Sequence, residues 1–173
     1  MLAGLRLDAL LAFFALMRSR LPSAASARLL FRASVHGKNA AAFHRECDNK
    51  GPTVVLIRDT AGNVFGGHAP VHWASGGVGV SCPTAFLFSV VNPHGDLPAV
   101  FESKGDGCSI VRYSDYGPAF GAGGHICVSG AFDDSSWTDI DGDSYHRPAT
   151  RQAQTLFTGA KYFTPEEVEV WAV

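Results

Sequence analysis

Thiols and imidazoles are the groups in this chain best suited to chemistry. There are four cysteines, Cys47, Cys82, Cys108 and Cys127, and seven histidines. A redox dithiol or a structural zinc site is usually marked by C-x-x-C, and here every cysteine stands alone. That pattern reads as reduced, mostly buried thiols. His44 and Cys47 lie three apart in a helical stretch, the spacing of a thiolate–imidazole pair. The plainer reading packs Phe43 and Cys47 inward and leaves His44 at the helix edge. His68 and His72 are four apart, but Pro70 between them keeps them off one helical face. Asp139, Asp141 and Asp143 alternate and offer oxygens for Ca²⁺. An EF-hand needs Gly sixth and Glu twelfth; here Gly142 comes fourth and Thr150 stands at the Glu position. Gly121-Ala122-Gly123-Gly124 lacks the spacing of a nucleotide loop, and no Walker lysine is present. Glu166 and Glu167 precede the last strand, where charges face solvent. No G-x-S-x-G frames a serine. The residues specify no catalytic centre, no cofactor and no metal site.

The elements that would position these groups are mostly strands. Gly51–Pro70, GPTVVLIRDTAGNVFGGHAP, reads as a hairpin at the heart of the chain. Thr53 to Ile57 is an apolar, β-branched run suited to a strand buried on both faces. Asp59 to Asn63 supplies turn residues, and Val64-Phe65 restarts the strand. Gly66-Gly67 removes two side chains in a row, which predicts a bulge, a bend or close backbone approach. An apolar content of 46% against 17% charged residues fits a folded chain of one domain. The formal charge of -2 gives no electrostatic footprint for nucleic acid.

Near the start, Leu7, Leu10, Leu11, Phe14, Met17 and Leu21 fall at helical spacing and predict a docked amphipathic helix. The same stretch has features of a targeting segment, but Asp8, Arg18 and Arg20 disturb that pattern. It is too short to span a bilayer. Pro22 and the Ser/Ala run after it predict a linker, so that 1–26 forms a helix and linker belonging to the same domain as 27–173. Arg28–Ser34 predicts a strand, with a turn at Gly37. Lys38–Asp48 predicts a helix with Asn39 as N-cap and Ala40, Phe43, His44 and Cys47 on one face. Val71–Ser81 reads as a loop carrying Trp73, and Thr84–Asn92 as a strand with Phe86 and Phe88 on one face and Leu87 on the other. Ala99–Glu102 and Ser109–Tyr113 read as a strand pair. Tyr116–Gly124 is a glycine loop, His125–Ser129 a short strand and Asp133–Asp143 a polar surface loop. Thr155–Phe157 and Val168–Val173 read as the last strands. Two early helices followed by many short strands predict a mainly β fold, a two-layer antiparallel β-sandwich flanked by a few helices.

Six stretches, taken in order, carry a family resemblance: LLFRASVHG (29–37), FHRECDNKGPTVVLI (43–57), GNVFGGHAPVHW (62–73), AFLFSVVN (85–92), YGPAFGAGG (116–124) and EEVEVW (166–171). Together they resemble the TLDc domain of oxidation-resistance proteins, which also occurs beside TBC or LysM modules. The resemblance runs from about Leu29 to the C-terminus, and the Leu21-Pro22 pair suits the family's opening segment. It implies a β-sandwich of two antiparallel sheets flanked by helices, protection against oxidative stress, and binding to a vacuolar-type proton ATPase with regulation of its assembly or activity. It brings no catalytic mechanism and no cofactor. The chain departs from the family at His36, where an acidic residue is usual before the glycine. It departs again at 121–125: an ungapped match puts His125 at the family's Asp position and Gly124 at its His position.

The expectation is therefore a non-catalytic binding and regulatory domain, cytoplasmic, with a protein partner and no transmembrane segment. The partner site is expected on loops held by the sandwich: Gly66, Gly67, Trp73, Tyr116, Phe120, Gly121 and His125. Two alternatives are a thiol- or metal-dependent oxidant-handling enzyme and a structural scaffold.

Overall fold

The computed structural model describes residues 7–21, 26–105, 107–140, 144–147 and 155–173. In chain order the elements are α1 (Leu7–Arg20), β1 (Arg28–Arg32), α2 (Ala33–His36), α3 (Ala40–Cys47), β2 (Thr53–Asp59), β3 (Val64–Ala69), β4 (Val78–Val80), β5 (Phe86–Val91), β6 (Ala99–Glu102), β7 (Ile110–Arg112), β8 (Ala119–Phe120), β9 (Ile126–Cys127), β10 (Ser136–Trp137), β11 (Tyr162–Phe163) and β12 (Pro165–Ala172). Twelve strands form two six-stranded sheets, ordered β1-β12-β2-β3-β5-β6 and β11-β10-β9-β8-β7-β4. Every pairing is antiparallel. The protein is the mainly β sandwich that the strand pattern predicts.

The hairpin of β2 and β3 anchors the first sheet. Its turn is built by Asp59, whose Oδ1 accepts the amides of Ala61 (3.0 Å) and Asn63 (2.8 Å) while Oδ2 accepts Asn63 Nδ2 (2.7 Å). Along β2, Val55 and Ile57 enter the core between the sheets, and Val54 and Leu56 enter a second apolar cluster on the outer face. This is why the run is apolar at every position rather than at every other one. In β3, Gly66 and Gly67 lie in regular strand. A Cβ on Gly66 would strike the Val55 carbonyl oxygen, and one on Gly67 would come within 2.8 Å of the Phe120 ring. The glycine pair thus marks close approach on both faces of the sheet.

The helix α1 covers the outer face of the first sheet. Among the described side chains Phe13 and Met17 of the helix and Leu21 just after it are buried, and the Phe13 ring lies 5.3 Å from that of Phe88. The described part of the packed stripe differs from the predicted one. Met17 and Leu21 are shared with it, but Leu11 and Phe14 face solvent, because the row i, i+4, i+8 from Phe13 fits the groove over β5. The side chains of Leu7 and Leu10, and residue Pro22, lie outside the described residues. α3 matches its prediction in cap and face, Asn39 Oδ1 accepting the Ala42 amide at 2.8 Å with Ala40, Phe43 and Cys47 buried, but His44, expected at the helix edge, is buried too, because Asp48 and the carbonyls of Tyr113 and Tyr116 engage its ring.

Other differences share one cause, short strands whose partners are distant in sequence. β1 ends at Arg32, and Ala33–His36 forms one helical turn closed by Gly37 at φ 112°. The loop predicted at 71–81 contains β4, and the polar loop at 133–143 contains β10. β6 and β7 are not a pair: β6 joins β5 in the first sheet, and β7 joins β4 and β8 in the second. Thr155–Phe157 is a turn rather than a strand, and it wedges the Phe157 ring between Phe65 (5.4 Å) and Phe101 (5.8 Å). On β12, Glu169 is buried but fully paired, with Arg32 Nη2 at 2.8 Å and Trp171 Nε1 at 3.1 Å.

Candidate functional site

The second sheet holds the glycine loop in place. The Gly121 amide donates to the Ser109 carbonyl (2.9 Å), and the Ala122 amide to the Cys108 carbonyl (3.1 Å) and Ser144 Oγ (2.9 Å). Behind it Tyr145, fully buried, donates its hydroxyl to the Ser109 carbonyl at 2.8 Å. Gly121, Gly123 and Gly124 all sit at φ 81°. At two of them the space is taken as well: a Cβ on Gly121 would overlap the His125 ring, and one on Gly124 the Trp137 indole. The loop is thus rigid, with Ala122 and Gly123 facing solvent.

Beside the loop runs a row of aromatic rings. Trp137 Nε1 donates to the Gly123 carbonyl at 3.1 Å. Its ring meets Tyr116 edge-on at 5.6 Å, and Tyr116 meets Tyr113 at 6.2 Å. Tyr162 stands opposite Trp137 in the β10–β11 ladder, on the same face. Tyr113 and Tyr162 are exposed, at 44% and 60%. Trp137 and Tyr116 are half-buried. Two or more ordered aromatic rings held at a surface by a stiff loop have the composition of a protein-binding hot spot.

Each residue expected at the site has a definite place. Tyr116 lies in the aromatic row, and Gly121 shapes the loop beside it. His125 is fully buried beneath the loop, its ring edge-on to Tyr145 at 5.3 Å. Phe120 and Trp73 are core residues, 5.5 Å apart, and Trp73 Nε1 donates to Thr53 Oγ1 at 2.9 Å. Gly66 and Gly67 lie in the first sheet, buried. Trp137, Tyr113 and Tyr162 were not singled out by the sequence. The signal available was an indole amid Asp133, Asp134 and Ser135, where no apolar pattern calls for one.

The groups suited to thiol chemistry are not activated. Burial pushes the Cys47 thiol well up, with Asp48 and Glu46 adding to it. Burial pushes Cys127 up to about 12, helped by the Asp115 carboxylate. Burial also raises Cys82 and Cys108. A thiol held protonated is a poor nucleophile. His44 pairs with Asp48 and with backbone carbonyls rather than with Cys47. Asp48 also accepts Ser75 Oγ at 2.8 Å. This brings Ser, Asp and His together, but with the carboxylate in the middle and the serine away from the imidazole, so no hydroxyl is activated. Among the described residues no three His, Cys, Asp or Glu side chains gather as metal ligands, and no helix is long and apolar enough to cross a membrane. Asp141 and Asp143, the other two acids of the alternating set, lie outside the described residues.

Comparison with known proteins agrees with the fold and the motifs. The profile of the TLDc domain matches residues 11–173. MTOR-associated protein MEAK7 of Gallus gallus is 30% identical over 155 residues, 84% of this chain and 31% of that protein. The protein of the same name from Danio rerio is 36% identical over 63 residues, 36% of this chain and 14% of that protein. The chain thus spans about a third of the length of the chicken relative. With nearly every residue inside the matched profile, and with the two antiparallel sheets that the resemblance implies, this chain belongs to the TLDc domain family.

Proposed function

We propose that this chain is a non-catalytic regulatory domain that binds a protein through the aromatic row Tyr113–Tyr116–Trp137–Tyr162. The observation that carries the proposal is the rigid glycine loop: it fixes an indole and a phenol edge-on at the surface, where core packing gives them no role. The partner is the peripheral sector of a vacuolar-type proton ATPase in the cytoplasm, and protection against oxidative stress follows from regulating it. A thiol-based enzyme finds no support in four raised thiols, and a bare scaffold leaves the aromatic row without a use.

The relatives' name, MTOR-associated protein, favours a second reading, in which the bound protein belongs to the mTOR machinery. Purified domain titrated with the isolated ATPase sector separates the two. Saturable binding that weakens on Tyr116→Ala supports the first reading. No binding by folded domain overturns it, and the same titration against mTOR complexes then decides the second.

A further inference from the structure

His44 makes more hydrogen bonds than a neutral imidazole allows. Its ring is buried, with its Nδ1 2.8 Å from Asp48 Oδ1. Its Nε2 lies 3.0 Å from the carbonyl oxygens of both Tyr113 and Tyr116. All three partners are acceptors. Asp48 Oδ2 is already engaged by the Ser75 hydroxyl, which fixes the carboxylate facing the ring. A neutral imidazole has one N–H and one lone pair. Whichever nitrogen kept the lone pair would point it at a carboxylate or at two carbonyls, a buried clash of acceptors. The arrangement is satisfied only with a proton on each nitrogen.

The two carbonyls belong to the ends of one turn, closed by the Tyr116 amide donating to the Tyr113 carbonyl at 3.3 Å. That turn carries two of the four rings of the aromatic row. We propose that His44 is a doubly protonated latch: its two N–H groups tie the end of α3 to the 113–116 turn, and loss of the Nε2 proton releases the turn and disperses the aromatic row. The latch itself stands on hydrogen-bond geometry. Only its consequence for binding rests on the reading that the row meets a partner.

The charged and titratable groups around the ring are few. Asp48 comes from the end of α3, and Tyr113, Asp115 and Tyr116 come from the latched turn. Ser75 brings a hydroxyl without charge, and Cys47 on the same helix is a thiol that burial keeps protonated. Arg45 pairs with Glu46 on the exposed side of the helix, and Lys50 is exposed.

Ring-nitrogen and backbone-amide NMR of ¹⁵N-labelled protein tests this, with pH raised from about 5 until the His44 ring deprotonates. The expected result is two protonated ring nitrogens in the docked state, with the amides of 113–117 shifting at the same midpoint as the ring. Asp48→Asn supplies a donor to Nδ1, so a neutral ring becomes acceptable, and the amides of 113–117 should then stay docked after deprotonation. His44→Leu, which has no donor and, if it folds, should show the released amide shifts at every pH, tests the tie directly. A singly protonated ring in the docked state overturns the proposal. So do turn amides that ignore the ring's titration, or an Asp48→Asn variant with an unchanged pH response. If these signals behave as expected while no ATPase sector binds, the latch stands and the reading of the partner falls.

Discussion

Single residues set what this surface does and how it responds to acid. Trp137 is held by one hydrogen bond to Gly123 and one edge contact to Tyr116, both at the surface, so its removal should cost binding and little stability. Trp137→Ala is expected to weaken partner binding about 10- to 100-fold, read by titration, with a near-unchanged melting temperature. His68 responds to pH in the opposite sense to a salt-bridged base. Burial beside Phe86 lowers its affinity for protons, and only a long contact to the Thr84 carbonyl works the other way. The unfolded chain therefore takes up a proton at His68 before the folded one does. Its contribution to stability is complete above about pH 6.5 and is lost as pH falls from there toward the lower folded-state value. Denaturant melts should show that loss flattened in His68→Gln. The sequence displays both residues but not their settings. His68 reads as one of two histidines flanking a proline, and Trp137 as part of an acidic loop, because neither burial nor the position of a neighbouring ring is written locally.

At the level of elements, the legible parts are those whose evidence is contiguous. The β2–β3 hairpin announces itself through its apolar run and the Asp59–Asn63 turn, and α3 through Asn39 and its spacing. β4, β10 and β11 have two or three residues each, too few for a period, and their existence depends on partners far along the chain. β6 and β7 lie in different sheets, and no local period in either strand says so. α1 is an intermediate case, since its helical period is clear but the face it buries is chosen by the Phe88 groove. That choice is testable. Phe13→Ala should cost about 3 kcal/mol in a denaturant melt, as a buried ring is removed, and Leu11→Ala close to nothing. Equal costs would mean that the helix packs by the other face.

For the whole molecule, the two layers are unequal. The first sheet has both faces buried, one against the second sheet and the other beneath α1. The second sheet carries the glycine loop and the aromatic row at its surface, so the proposed function makes the first layer the platform and the second the contact layer. β12 unites the platform, paired with β1 on one side and β2 on the other. Shortening the chain before Pro165 should therefore abolish cooperative unfolding altogether rather than lower its midpoint, as followed by circular dichroism.

The position of β12 also governs the timing of synthesis. A strand from the last nine residues lies between the first strand and the central hairpin. On the ribosome β1 and β2 emerge early and wait, each with an open edge toward the other, until β12 leaves the exit tunnel. Because translation adds about 5–20 residues per second, the stretch between β2 and β12 makes that wait roughly 5–20 s. During it, Val54 to Ile57 present an apolar, unpaired edge of the kind that recruits other nascent chains. A holding chaperone that masks this edge until β12 emerges is therefore expected to raise the yield of folded protein, as read by soluble expression with and without it.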